Sequence, residues 1–370
     1  MPLRVSHVLD ATTHEDAVRL VTLLLRRLPR DRVEQRVAVM GNCPVLQEPP
    51  DIPVVHVGRR LNWPMASVLD LRRVLRRQHP QVVLAWGPSA GAVTATATGQ
   101  DLPVAVVIAD PAEAAETARW WPGASAEASG LQLVCTSGTA RRRLLEHGLP
   151  ADRITVIRPG IDYGELRQAR LSADRRTAGL PAGGTLLVSA SPPSRAAGQY
   201  YAAWAAAILH QVWPDVTMVV PGVSPEQERI RRLVEGLPCG HIYHFTRYSL
   251  SPMELLCLAD VLVFPPPGDA GSYWLAMAMA AGTPIVATAV PCAAELLADG
   301  RTAFLCKPDR PDLLATRIHE AVGDPDARRR CAEAAQAQAF EAFRAETCVD
   351  AFLQLVLDAL QGRAATGASA

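Results

Sequence analysis

Between Ala259 and Thr288 the chain reads ADVLVFPPPGDAGSYWLAMAMAAGTPIVAT, and this run allows very few folds. Residues 260–264 are short, apolar and rich in Val, as in a strand covered on both faces, and three prolines end them. Gly268-Asp269-Ala270-Gly271 supplies a flexible turn. Residues 272–281, built largely from Ala, Met, Leu and Trp, have high helix propensity, and Gly282 stands where a helix terminus needs a left-handed residue. Residues 284–288 form the next strand. A strand, glycine turn, helix and strand in this order is the unit of a parallel α/β sheet. The backbone N–H groups that open its helix are a natural seat for a phosphate.

The same alternation runs along the whole chain. Strand-like runs at 5–9, 36–40, 54–57, 82–86, 104–108, 131–135 and 154–157 are interleaved with helical stretches such as 17–28, 67–77 and 137–147. Residues 158–184, rich in Arg, Gly and Pro, read as a crossover and hinge. A second series follows, with strands at 185–189, 216–220, 242–245, 260–264, 284–287 and 303–306. Helices at 311–322, 326–340 and 348–360 close the chain, and the small-residue tail 362–370 reads as disordered. With 370 residues there is material for two cores, and the repeated β/α order specifies a parallel sheet in each. Ligands of such sheets sit at the carboxyl ends of the strands.

Composition narrows the function. Acidic and basic residues balance at 37 each, which argues against nucleic acid as a partner. Lys307 is the only lysine and lies in a loop-like Lys307-Pro308-Asp309, so a Walker phosphate loop or a Schiff-base lysine has no place to stand. The eight cysteines lack C-x-x-C spacing and fall mostly in apolar runs, as small buried thiols do. His241 and His244, near Cys239, are three apart in a strand and point to opposite faces, which argues against a metal site. No apolar run reaches the roughly 18 residues of a membrane span and no secretory leader is visible, so a soluble cytoplasmic protein with no transmembrane segment is expected. Gly87-Pro88-Ser89-Ala90-Gly91 after the strand at 82–86 is a formal nucleophile-elbow match. A serine hydrolase using Ser89, with a late histidine such as His319, is therefore one reading, though so short a motif often occurs by chance.

Met279-Ala280-Ala281-Gly282-Thr283-Pro284-Ile285-Val286-Ala287-Thr288 matches the second half of E-G-F-G-x-x-x-x-E-A-M-A-A-G-x-P-V-V-A-T. This is the nucleotide-sugar motif of the family 4 (group 1) glycosyltransferases, and the chain resembles that family. Glu295 with Asp299-Gly300-Arg301-Thr302-Ala303-Phe304-Leu305 is similar to its P-E-x-x-x-D-G-x-T-G-x-L. Val156-Ile157-Arg158-Pro159-Gly160-Ile161-Asp162 is similar to its V-I-P-N-G-I-D. The resemblance implies an α/β fold of the GT-B type: two facing Rossmann-like domains with parallel sheets and a C-terminal helix crossing back to the first. The domains would be 1–165, the acceptor side, joined by helix 346–361, then a linker at 166–184, and 185–345, the nucleotide-sugar side.

The resemblance further implies transfer of a sugar from a nucleotide-diphosphate donor to a glycan, lipid or small-molecule acceptor, with retention and without metal or cofactor. On that pattern Gly268, Gly271, Ser272, Arg195 and Glu295 would hold the donor, and Asp269 and Asp110 would serve the chemistry. Several positions depart from the family's form. Ser191 and Ala196 stand at the arginine and lysine of G-R-x-x-x-x-K-G, leaving Arg195 as the nearest cation, and Met277 replaces the second glutamate of Glu-x7-Glu. Charge-assisted contacts are worth about 1.5–3 kcal/mol each, so two lost cations would weaken diphosphate binding by about two to four powers of ten. Ala109 stands where the family carries a histidine, and the neighbouring Asp110-Pro111 also suits a helix N-cap. Glu15 and Asp16 replace paired glycines in the first β/α turn, where they favour a helix start and repel an anion. A second reading follows from these departures: a homologue without donor chemistry that serves as a binding or assembly partner of another protein.

Overall fold

The computed structural model describes residues 2–41, 51–58, 64–99, 101–121, 130–246 and 250–367. The chain divides into two compact units, one formed by 1–160 with 345–370 and the other by 161–344. The first unit carries β1 (Leu3–Asp10), β2 (Val33–Met40), β3 (Val54–Val57), β4 (Val82–Trp86), β5 (Val104–Ile108), β6 (Leu131–Cys135) and β7 (Ile154–Val156). They form one seven-stranded sheet in the order β3-β2-β1-β4-β5-β6-β7, with every pairing parallel. Each residue of β4 and β5 is buried, as expected of strands covered on both faces. Parallel neighbours cannot be joined by a hairpin, so helices cross between them. Helix Glu15–Arg27 makes the first crossing, with acids in its first turn, arginines in its last, and Leu20 and Leu24 in the core.

The last helix, Ala345–Gly367, returns to this first unit. Its Phe352 stacks on the fully buried Trp86 with ring centroids 6.1 Å apart. The Trp86 indole N–H in turn donates to His7 Nδ1 at 3.3 Å, and His7 Nε2 faces Gln35 Oε1 at 3.1 Å. Because Nδ1 accepts, the imidazole proton sits on Nε2 and is donated to Gln35, so His7 is neutral. Burial lowers its pKa to about 4 against the opposing pull of the Gln35 bond.

The second unit carries β8 (Thr185–Ser189), β9 (Val216–Pro221), β10 (Tyr243–Thr246), β11 (Val261–Phe264), β12 (Ile285–Thr288) and β13 (Phe304–Cys306). These form a parallel six-stranded sheet in the order β10-β9-β8-β11-β12-β13. Met218, Val220, Val261, Val263 and Val286 meet Leu314 and Ile318 in its core.

Two stretches differ from the sequence reading. The segment 158–184 contains helix Tyr163–Ser172, started by the Asp162 carboxylate, which accepts from Gly164 N and Glu165 N. Leu166 and Ala169 are its buried positions, and Arg175 beyond it donates to Gly184 O and to Asp260 Oδ2 at 3.0 Å. Only these two of its residues are buried, which is why its composition resembles a linker. At the other end, the final helix continues through Gly367, so that 362–367 extend it where a disordered tail was expected, and 368–370 lie outside the described residues. Cys43 also lies outside them, and Trp120 ends helix Ala114–Trp120 with its ring 6.2 Å from that of Trp121.

Candidate functional site

In the second unit the strand order reverses between β8 and β11, and the loops leaving their carboxyl ends meet. Gly198 has a φ of +78°, and a Cβ built there would lie 1.9 Å from the Pro265 carbonyl oxygen, so only glycine lets the two loops approach. The loop after β8 is braced by the buried Gln199, whose Nε2 donates to Ala190 O and Ser191 O while its Oε1 accepts from the Ser189 hydroxyl at 2.9 Å. Ser191 itself takes a left-handed φ of 68°. The loop after β11 is braced from the next strand, where the buried Thr288 hydroxyl donates to Pro266 O at 2.7 Å. Neither brace had a sequence signal beyond a polar residue beside an apolar run.

The expected donor residues fall on this carboxyl edge. Gly268 is exposed with open space around it, and Asp269 is half-buried. Gly271 and Ser272 are buried at the tip of helix Tyr273–Ala281, which Ser272 starts without a side-chain capping bond. Glu295 is half-buried on helix Pro291–Leu296, after β12. Arg195 is exposed, and its backbone N–H donates to Glu226. Met277 is 3% exposed within a helix whose every residue from Tyr273 to Ala280 is buried, so it serves the core.

In the first unit the order reverses between β1 and β4. Asp10 ends β1, and its carboxylate accepts from the Thr12 N–H and hydroxyl; the Thr13 hydroxyl donates to Trp86 O at 3.1 Å, tying this loop to β4. Asp110, expected as a chemical residue, caps the 3-10 turn Pro111–Glu113 in a reciprocal capping box. Its Oδ1 accepts from Ala112 N, and Glu113 Oε2 accepts from Ala109 N and Asp110 N. Its other oxygen lies 3.3 Å from His14 Nε2. His14 caps helix Glu15–Arg27, its Nδ1 accepting from Asp16 N at 3.2 Å.

Burial alone would lower the His14 pKa, but the Asp16, Asp110, Glu113 and Glu15 carboxylates outweigh it and raise it to about 9. Burial likewise raises Glu113 to about 7, against the His14 charge and the Asp110 and Ala109 backbone bonds. The D-P-x-E spacing of the capping box was readable in the sequence. The approach of His14 to it was not, because it depends on two loops 96 positions apart.

The Ser89 reading does not survive. Ser89 lies in the first turn of helix Pro88–Thr98 without the positive φ of a strained elbow, and a Cβ on Gly91 would meet Val106 at 2.6 Å and Trp120 at 2.9 Å. The glycines therefore serve the turn and the packing. His319 packs edge-on against Trp213 in the second unit.

The family model for glycosyltransferase family 4 matches residues 17–165, and that for group 1 glycosyl transferases matches residues 173–338. The chain belongs to the family 4, group 1 glycosyltransferases. Among relatives of this chain, a D-inositol 3-phosphate glycosyltransferase of Pseudarthrobacter chlorophenolicus is 29% identical over 46% of this chain and 42% of its own. A GDP-mannose-dependent alpha-(1-6)-phosphatidylinositol dimannoside mannosyltransferase of Mycobacterium tuberculosis is 26% identical over 67% of this chain and 64% of its own. The match thus spans about two fifths to two thirds of these relatives' length. Anabaena HepE, solved with UDP and glucose, superposes with a TM-score of 0.81 at 19% identity, covering 96% of this chain and 100% of that one. WaaG, a glycosyltransferase involved in lipopolysaccharide biosynthesis, gives 0.75 at 17% identity over 94% and 98%. The fold is GT-B. Among the described residues, no helix is long and apolar enough to cross a membrane.

Proposed function

We propose that the chain transfers a sugar, with retention, from a nucleotide-diphosphate sugar held at the β8/β11 edge to an acceptor held by the first unit, in the cytoplasm and without a metal. The observation that carries this reading is the meeting of the two strand-end loops at Gly198 and Pro265, with half-buried Asp269 and the tip of helix Tyr273–Ala281 on the same edge. A helix N-terminus favours negative charge, which suits the diphosphate, and Asp269 is a carboxylate able to hold a sugar hydroxyl. Gly268, Gly271 and Ser272 would let the phosphates approach, Glu295 would add a supporting contact, and Arg195 is the cation nearest the family's lost pair. In the transfer, the bond from the anomeric carbon to the diphosphate breaks, the bond to an acceptor oxygen forms, and the hydroxyl proton leaves with the diphosphate. Asp110, through His14, belongs to the acceptor side in this reading. The acceptor is a glycan, a lipid or a small molecule.

A second reading is supported by Met277, which is sealed in the core, and by Ser191 and Ala196 in place of cations. In it the chain is a non-catalytic homologue that works by binding another protein. Calorimetric titration with UDP, GDP, UDP-glucose and GDP-mannose decides between them. The transferase reading expects micromolar to millimolar binding by at least one, followed by a glycosylated product detected by mass in the presence of acceptors. Silence across the panel supports the non-catalytic reading.

A further inference from the structure

At the end of the first sheet opposite His14 and Asp110, where β1, β4 and β5 begin, lies a cavity of about 280 Å³. Ligands of parallel sheets gather at the carboxyl ends of the strands, so this is a separate place, about 25 Å away along the eight residues of β1. Its buried lining is apolar, supplied by Leu75 of helix Pro64–Gln78, Pro80 after that helix and Ala97 of helix Pro88–Thr98. Its rim is cationic. Arg4, Arg72, Arg76 and the His79 imidazole stand there with Asp101, the one carboxylate among the lining residues.

The pairing of these cations points to a ligand. Arg72 and Arg76 stand four apart on one helix, where like charges repel. Among the described residues neither makes an ion pair or a hydrogen bond, whereas Arg73 on the same helix pairs with Asp70 at 2.9 Å. Arg4 comes from β1, and its Nε donates to His79 O at 2.6 Å; this fixes the side chain and leaves Nη1 and Nη2 without a partner among the described residues. Glu34, the register neighbour of Arg4 on β2, is taken by Arg36 at 2.7 Å. A helix C-terminus favours cations in its last turn, which accounts for Arg76 and Arg77 but not for Arg4 or Arg72.

We propose that this cavity binds a small soluble phosphate monoester, a ligand separate from any sugar nucleotide. Three guanidinium groups against one carboxylate leave an excess of two positive charges, which matches the roughly −1.5 to −2 of a phosphate monoester at pH 7. Guanidinium forks grip phosphate oxygens in pairs, and buried Leu75 and Pro80 offer apolar surface to the carbon body. Ligand cavities run from about 300 to 1,000 Å³, so this one, at the small end, suits a body of few carbons. The inference stands independently of the transferase reading, since every residue it uses lies away from the donor edge.

The test titrates glycerol 3-phosphate and glucose 6-phosphate calorimetrically into the full chain at about 0.1 M salt, where exposed charges are screened beyond about 10 Å, with glycerol as the uncharged control. Glycerol 3-phosphate is expected to bind with a Kd on the order of 1 mM or tighter and to move the His79 ring signals in NMR spectra, assigned by comparison with His79→Gln, while glycerol does neither. Arg72→Gln and Arg76→Gln, both at exposed positions, should each weaken binding about ten-fold, the size of one charge-assisted contact, and together about a hundred-fold. Arg73→Gln combined with Arg77→Gln removes the same charge from the same helix outside the cavity and should change the affinity by less than about two-fold. The proposal is overturned if neither phosphate monoester binds, or if the Arg73 and Arg77 pair of substitutions weakens binding as much as the Arg72 and Arg76 pair. It is also overturned if the chain binds phosphatidylglycerol vesicles while the soluble monoesters leave His79 unmoved, which would make the arginines a charged surface. UDP should respond to the Arg72→Gln, Arg76→Gln protein as it does to the wild type, and a parallel loss of both ligands would refute a separate site.

Discussion

Replacing His7 by glutamine should cost stability at neutral pH and progressively less as the solution is made acidic. In the native chain the imidazole is fully buried and neutral, holding the Trp86 indole on one side and Gln35 on the other. Its folded pKa of about 4 lies below the ordinary histidine value of 6.5, so between those limits the unfolded chain binds a proton that the folded chain refuses. Stability from this residue is present above about pH 6.5 and is lost as the pH falls toward 4. At 1.36 kcal/mol per pKa unit the full loss is about 3 kcal/mol. Glu113 works in the opposite sense. Its folded pKa of about 7 exceeds the ordinary glutamate value of 4.5, so it gains stability as the pH falls through the same window. The wild-type profile is therefore flattened, and only the difference between wild type and variant isolates His7. Urea denaturation at pH 7.5 should show His7→Gln less stable by about 1–3 kcal/mol, the cost of leaving the buried Trp86 N–H poorly paired. At pH 4.5 that gap should close by about 2–3 kcal/mol. A gap that stays constant with pH would refute both the neutral tautomer and the role of burial.

Gly198→Ala should remove at least about 2 kcal/mol, since a left-handed residue with a Cβ costs about 1–2 and the Pro265 carbonyl must also move. Thermal melts and UDP titration should register the loss together. On the transferase reading, Asp269→Asn should weaken UDP-glucose or GDP-mannose about ten- to hundred-fold while leaving UDP or GDP nearly unchanged, because the proposed charged hydrogen bond is to the sugar; equal losses for sugar nucleotide and free nucleotide would contradict this placement. Glu113→Gln keeps the acceptor for Ala109 N and Asp110 N but removes a buried charge near His14, so the His14 titration followed by NMR should move to lower pH. An unmoved titration would show that Glu113 does not act on the imidazole.

The strands were the most readable part of this chain. β4, β5, β6 and β8 coincide with the apolar runs expected for them, because each is buried on both faces and bounded by Gly, Pro or polar residues. Helix Tyr163–Ser172 escaped, since its stability comes from the Asp162 cap and only two buried side chains. The donor edge could be placed from its glycine turn and helix, but the reason for Gly198 could not, because it is set by a carbonyl 67 positions later. The His14, Asp110 and Glu113 cluster was half visible. Asp110 was singled out, and the imidazole that gives it meaning lies on another strand's loop. Gly87 to Gly91 is the converse case, where a local pattern suggested a nucleophile and packing against Val106 and Trp120 explains it.

The second unit is an insertion in the first, entered after Gly160 and left before Ala345, and Gly160 is so closely packed that a side chain there would collide with Ala345 and Cys348. A ribosome therefore releases the parts of the two units in an unequal order. Residues 161–344 emerge as one contiguous stretch, while Trp86 must wait for Phe352, made only after that stretch, before its last covering ring arrives. Until then the earliest strands have an uncovered aromatic face, and the middle of the gene product can be finished before its beginning.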